Sequence, residues 1–140
     1  MGFKRLRYFV DTGAFYAGKD TSDQHYDQAN IFMEKVRKSA YSDLITSNFI
    51  IDETITLIRM KLGHNAAVKF GRQIRESSIV SVINVNENIE DKAWKIFEKY
   101  SDKDFSFTDC TSFAIVEIEK IRNVFTFDKH FAQYGFDIVP

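Results

Sequence analysis

The strongest constraint on this chain is a short apolar run that ends abruptly at an acid. The run Leu6 to Val10 is nearly all apolar or aromatic, and Asp11, Thr12 and Gly13 follow it directly. Apolar character over this length is typical of a strand buried on both faces, as in a parallel sheet. In open α/β sheets, ligands bind just beyond the carboxyl ends of such strands. Asp11 therefore has the position of a functional carboxylate, and the structural alternative is an Asp that caps the following turn.

The rest of the chain predicts strands that alternate with helices. Apolar or β-branched runs predict strands at residues 44–46, 79–85, 124–127 and 136–139, the last at a sheet edge because it is short and precedes Pro140. Apolar residues at helical spacing predict helices over 24–39, 48–62, 66–76, 86–100 and 107–121. Ser47 or Asn48 is expected to cap the helix over 48–62, which should end at Gly63. Asn65 is expected to cap the helix over 66–76, and Asn86 or Asn88 the helix over 86–100. This alternation predicts an α/β fold with a parallel sheet covered by helices on both faces.

The composition fits one domain over residues 1–140 and narrows the possible partners. No apolar run approaches the ~18 residues of a membrane helix, so a membrane partner is not expected. No signal-peptide pattern follows the basic N-terminus, and the single cysteine, Cys110, excludes an internal disulfide, so we expect a cytoplasmic protein. The net charge of −1 provides no general attraction to nucleic acid. Binding of nucleic acid would require a local basic patch or metal ions.

Three further carboxylates have positions that favour function. Glu53 shares a helix face with apolar residues, where a lone ion would be costly to bury, so it needs a cation, a raised pKa or a metal. The structural alternative is a boundary residue whose side chain reaches solvent or pairs with Arg59 or a distant Lys. Asp109 lies three positions after Ser106, which is equally typical of a helix capping box. Asp128 follows the apolar run 124–127 and so repeats the arrangement at Asp11.

Clustered carboxylates at one edge of a sheet favour a hard divalent cation. Such acids cannot all stay ionised without a counter-charge, and ligation by oxygen alone selects Mg²⁺ or Mn²⁺ rather than zinc. The three histidines have no spacing typical of zinc ligands, and none of them is assigned to the site. Cys110 is interpreted as a small buried residue rather than a nucleophile because it has no identified base partner.

Four short motifs, in this order, make the chain resemble the PIN domain family. The segments 9–12, 104–109 and 126–131 are similar to that family's first, third and fourth motifs, and Glu53 is similar to its second acid. The size of the chain resembles the VapC-type toxins among PIN proteins. The resemblance implies a sheet of about five parallel strands, Mg²⁺- or Mn²⁺-dependent endoribonuclease activity, a homodimer and an antitoxin partner.

The predicted reaction is metal-assisted hydrolysis of RNA phosphodiester bonds. Asp11, Glu53 and Asp109 are expected to hold one ion, while Asp128 holds a second ion or orients the attacking water. Thr12 and Thr108 are expected to hydrogen-bond these carboxylates or the water. Four basic residues are weaker candidates for contacts with the RNA backbone: Lys61, Lys69, Arg72 and Arg75. The alternatives are a catalytically silent binding module for nucleic acid or protein, and a DNA nuclease.

Overall fold

Five strands form one fully parallel sheet in the computed structural model, which describes residues 5–140. Residues 1–4, which contain most of the basic N-terminal run, lie outside the described part. The elements in chain order are β1 Leu6–Val10, α1 Thr12–Ala17, α2 Tyr26–Lys38, β2 Ser42–Ser47, α3 Asn48–Leu62, α4 His64–Glu76, β3 Val80–Ile83, α5 Glu87–Lys99, α6 Phe107–Ile118, β4 Asn123–Phe125, α7 Lys129–Tyr134 and β5 Asp137–Val139. The predicted parallel sheet of about five strands, with helices around it, is confirmed.

The strand order makes β1 the centre of the sheet. The order is β3-β2-β1-β4-β5, and Phe9 lies beside Ile45 of β2 and Val124 of β4. The chain first builds outward from β1 through β2 to β3, and then returns to add β4 and β5 on the other side. The boundary between β1 and β4 is therefore a topological switch point, where the connections leave a crevice at the carboxyl ends of the strands.

Local signals explain most of the helix boundaries. The Ser47 side chain caps α3 by accepting a hydrogen bond from the Ile50 amide, and Asn86 caps α5 in the same way. Gly63 ends α3 with a φ of 100°, a conformation that favours glycine, as predicted. The prediction that Asn65 caps α4 is wrong, because α4 begins at His64, directly after Gly63.

Helix α6 is the buried centre of the aromatic core. Its residues from Cys110 to Val116 are all buried, and Phe113 stacks on Tyr134 with ring centroids 4.4 Å apart. Phe105 and Phe131 make edge-to-face contacts with the same Phe113 ring. The helix ends at Ile118, earlier than the predicted residue 121, because Lys120 adopts a φ of 54° and the chain turns into β4. This packing fixes the position of the α6 N-terminus.

Two short helices had no counterpart in the prediction. Helix α1 starts immediately after Asp11, and α7 starts immediately after Asp128, so each acid occupies the residue before a helix. Each helix has only six residues, which is too short to show a helical period in the sequence. Among the described residues, no helix combines the length and the apolar character needed to cross a bilayer.

Candidate active site

The crevice between β1 and β4 contains Asp11 and Asp128, which are linked through one buried threonine. The Thr126 hydroxyl donates a hydrogen bond to Oδ2 of Asp11 over 3.1 Å and accepts one from the Asp128 amide over 2.9 Å. The Asp11 amide also donates to the Phe125 carbonyl, so the ends of the two strands are joined. Thr126 therefore positions two of the predicted acids, a role that the sequence reasoning missed.

Asp11 is a buried carboxyl group whose ionised form is disfavoured. Only 7% of its surface is exposed, and this burial raises its pKa to about 7. The nearby Thr12 backbone opposes the shift, although no formed hydrogen bond joins it to this carboxyl group; the charges of Asp109 and Asp128 add to the shift, and the Thr126 hydroxyl opposes it. The Asp11 side chain makes no capping hydrogen bond to the described residues of α1. The alternative that this side chain caps the following turn is therefore wrong.

Asp109 is both a capping residue and a member of the acid cluster. Its amide donates to Oγ of Ser106 over 2.9 Å, and its Oδ2 accepts from the Ser106 amide over 3.1 Å, which forms the predicted capping box. The same Oδ2 lies 2.9 Å from Nδ1 of His130. Burial raises the pKa of Asp109, as does the charge of Asp128, while the Ser106 amide and His130 oppose the shift. The capping box is therefore confirmed, and the same side chain also lies in the acid cluster.

His130 joins Asp109 to Asp128 across the crevice. Its Nδ1 lies 3.3 Å from Oδ2 of Asp128, and its backbone amide donates to Oδ1 of the same side chain over 2.9 Å. The sequence reasoning did not assign His130 to the site. A signal for it exists in the spacing, because an Asp that caps a helix start normally hydrogen-bonds the amide two or three positions on. That bond brings the His130 imidazole back toward the acids.

Glu53 lies at the exposed edge of α3 and not on its buried face. The buried face consists of Ile50, Thr54 and Ile58, so the prediction that Glu53 lies on the apolar stripe is wrong. Partial burial still raises its pKa, and the charges of Asp109, Asp52 and Asp128 contribute to the shift. Among the described residues, Glu53 forms no ion pair with Arg59, whose guanidinium instead contacts Nδ1 of His64 over 2.6 Å.

The two predicted threonines lie beside the acids. The Thr12 hydroxyl is buried and has no hydrogen-bond partner among the described residues. It lies near Glu53 and favours the charged form of that side chain, although no formed hydrogen bond joins them. Thr108 and Glu53 line the same groove of about 550 Å³, with Asp52 at its edge.

The four predicted basic residues are not gathered at the acids. Lys61 lies over the Tyr16 ring, with its Nζ 5.5 Å from the ring centroid. Lys69 and Arg72 line a groove on the exposed face of α4, while Arg75 lines a different groove beside β3. Within the described part of the chain, none of them forms an ion pair with the acids of the site.

The ligand atoms at this site suit a hard divalent cation. Asp109, Asp128 and His130 each offer one ligand atom within 4.8 Å of the others. The charges of Asp109 and Asp128 act on both Asp11 and Glu53, so the four carboxylates lie in one small region. Carboxylate oxygens are the ligands that Mg²⁺ and Mn²⁺ prefer, and a bound cation would offset the burial and the repulsion that raise the pKa values of Asp11, Glu53 and Asp109.

Comparisons with known proteins agree with this architecture over nearly the whole chain. A family profile for the PIN domain matches residues 8–137. The chain is 34% identical over 128 residues to the 23S rRNA-specific endonuclease VapC20 of Mycobacterium tuberculosis, covering 91% of this chain and 94% of that protein. It is 28% identical over 124 residues to a VapC ribonuclease of Archaeoglobus fulgidus, covering 88% and 78% of the two chains.

Solved structures show the same arrangement of elements. The crystal structure of Mycobacterium tuberculosis VapC20, described as a sarcin-ricin loop cleaving toxin, superimposes with a TM-score of 0.84 at 33% identity, covering 92% of this chain and 95% of that one. VapBC2 from Rickettsia felis, bound to a DNA fragment from its promoter, superimposes with a TM-score of 0.72 at 12% identity, covering 96% and 98%. The second match is a likeness of fold alone.

Proposed function

The chain belongs to the PIN domain family, and from that premise we propose that it is a metal-dependent endoribonuclease that hydrolyses RNA phosphodiester bonds. The observation that carries the proposal is the convergence of Asp11, Asp109 and Asp128 at the switch point of the sheet, with raised pKa values for Asp11 and Asp109. Carboxylates that lie close together despite their mutual repulsion are typical of a site that binds a cation.

Asp11, Glu53, Asp109 and Asp128 are the residues that would hold Mg²⁺ or Mn²⁺. When bound, the ion supplies a more acidic attacking water and charge stabilisation for the attacked phosphate. Because the Asp11 pKa is about 7, this side chain must lose its proton near neutral pH to serve as a ligand. The proposed activity therefore rises with pH, with a midpoint at or below about 7, because the bound ion competes with the proton.

The surrounding polar groups keep the carboxylates in place. Thr126 holds Asp11 and the Asp128 backbone, while Ser106 holds Asp109 through two reciprocal hydrogen bonds. His130 spans Asp109 and Asp128, so it sets the distance between them. We assign two threonines to hydrogen bonds with the carboxylates or the attacking water. One is Thr12, whose buried hydroxyl has no partner among the described residues, and the other is Thr108, which lines the groove beside Glu53.

The relatives support a narrower substrate and an antitoxin partner. VapC20 is named as specific for 23S rRNA and shares 34% identity with this chain, so we propose structured ribosomal RNA as the substrate class. The same relatives support the toxin role in a toxin–antitoxin pair, with a cognate antitoxin as the binding partner. We also propose a homodimer, which size-exclusion chromatography with light scattering would test at several protein concentrations.

A cleavage assay tests the proposal directly. The purified chain is incubated with ribosomes, with total RNA and with single-stranded DNA, in Mg²⁺, in Mn²⁺ and in chelator. We expect metal-dependent cleavage of RNA, and loss of that cleavage in a folded Asp11→Asn variant. Binding of RNA without cleavage in either metal would favour the silent binding module, and cleavage of DNA alone would favour the DNA nuclease.

A further inference from the structure

An exposed aromatic patch lies between α5 and the start of α6, outside the acid cluster. It consists of Trp94, Phe97 and Phe107, whose ring centroids are 5.8 to 6.4 Å apart. Trp94 is 53% exposed and Phe97 is 42% exposed, although both rings are large and apolar. Exposed aromatic groups that pack on one another commonly mark a binding surface.

The patch borders a groove that leads to the acid cluster. The groove measures about 530 Å³ and is lined by Trp94, Phe97, Phe105 and Ser106, among others. The Phe105 ring makes an edge-to-face contact with the His130 imidazole, at a centroid distance of 5.6 Å. His130 in turn contacts Asp109 and Asp128. Phe105 and His130 therefore connect this groove to the proposed metal ligands Asp109 and Asp128.

We propose that the aromatic patch is a stacking site for an unpaired base of the RNA substrate, beside the phosphate that is cleaved. This inference rests on the proposed ribonuclease function. Aromatic side chains bind unpaired bases by stacking on their π-faces, and removing one such side chain typically weakens binding by about tenfold or more. Ser106 lines the groove and exchanges two hydrogen bonds with Asp109, so a base held at the patch leaves its phosphate close to the acids.

The size of the patch favours a base over a protein surface. The exposed parts of Trp94 and Phe97 together present about 200 Å² of aromatic area. A stable protein interface buries about 800 Å² on each partner, several times more. The rim of the groove has two carboxylates, on Glu98 and Asp104, and one ammonium group, on Lys103. Such a rim does not attract a phosphate backbone, so stacking must supply the affinity.

The chain provides its own reporter for the test, because Trp94 is its only tryptophan. A single-stranded RNA oligonucleotide is titrated in Mg²⁺ into the Asp11→Asn variant, which is expected to bind RNA without cutting it. We expect the tryptophan fluorescence to be quenched as RNA is added, and expect a fully paired duplex of the same sequence to quench it much less. Fluorescence that changes on dilution of the protein without RNA would instead indicate a second copy on this surface and would overturn the proposal.

Cleavage kinetics provide a second test, with single substitutions made in a chain that keeps Asp11. Trp94→Ala is expected to raise KM for RNA about tenfold, to leave kcat nearly unchanged, and to keep the shift in Tm that Mn²⁺ causes. Trp94→Phe, which keeps an aromatic ring, should recover most of the loss. Ile31→Ala is the matched control, because it removes a side chain of α2 that is 70% exposed and should leave KM unchanged.

The outcomes separate this proposal from the proposed function. An unchanged KM in a folded Trp94→Ala variant would refute the stacking site while cleavage by the parent chain still stands. A parent chain that quenches on RNA but cuts none would retain the stacking site and refute the ribonuclease. A changed elution volume for Trp94→Ala, with no change in KM, would assign the patch to a protein partner and overturn the proposal.

Discussion

Replacing Asp11 by Asn should stabilise the metal-free protein at alkaline pH. The Asp11 pKa is about 7 in the folded chain and about 3.9 in an unfolded one, so the folded state binds the proton more tightly. The stability from the protonated carboxyl is complete below about pH 4 and is lost as pH rises through 7. Three pKa units at about 1.4 kcal/mol each give a loss of about 4 kcal/mol by pH 8. Asn has a similar shape and no charge, so it avoids this loss.

Urea unfolding in EDTA at pH 8 and at pH 4.5 measures this difference. We expect Asp11→Asn to exceed the parent by up to about 4 kcal/mol at pH 8, and the two proteins to agree within about 1 kcal/mol at pH 4.5. Asp20→Asn is the control of opposite sign, because hydrogen bonds from Ser22 and Tyr16 lower the pKa of Asp20. An Asp11→Asn variant that is no more stable than the parent at pH 8 would refute the argument that burial and repulsion disfavour this charge.

Four further substitutions test the same region and its support. Asp109→Asn keeps an acceptor for the Ser106 amide but removes the charge, so RNA cleavage should fall by at least about 100-fold. Ser106→Ala should instead lower the free energy of unfolding in urea by about 1 kcal/mol and leave cleavage nearly unchanged. Glu53→Gln should raise the Tm of the metal-free protein at pH 8, because it removes one of the repelling charges, and should reduce the rise in Tm that Mn²⁺ causes; a fall in Tm would support a structural ion pair. Phe113→Ala should cost about 3–5 kcal/mol by urea unfolding, with and without metal, because the ring is fully buried among aromatic neighbours.

The sheet could be predicted because its strands leave a local signal. A parallel strand buried on both faces needs apolar residues in succession, and Tyr8, Phe9 and Val10 provide them in the central strand, where Phe9 and Val10 are buried. The acids that follow β1 and β4 come together because parallel strands end at the same edge. The capping box of Ser106 and Asp109 is equally local, since it lies within one helical turn.

The parts that could not be predicted depend on contacts between distant segments. Thr126 and Asp11 are 115 residues apart, and His130 and Asp109 are 21 apart, so no spacing rule connects them. The exposure of Glu53 also depends on tertiary packing. The apolar residues of α3 occupy more than one face, and the sequence does not show that Ile50, Thr54 and Ile58 are the ones that meet the core.

The central claim is that these acids form a site for a divalent cation, and a calorimetric titration with Mn²⁺ at pH 8 tests it most directly. We predict saturable binding to the parent chain, with affinity that falls as pH drops below about 7 because Asp11 then keeps its proton. Asp11→Asn should bind at least about tenfold more weakly, whereas the distant control Ile31→Ala should bind like the parent. Binding that is absent from the parent at millimolar Mn²⁺, or unchanged in Asp11→Asn, would contradict the account.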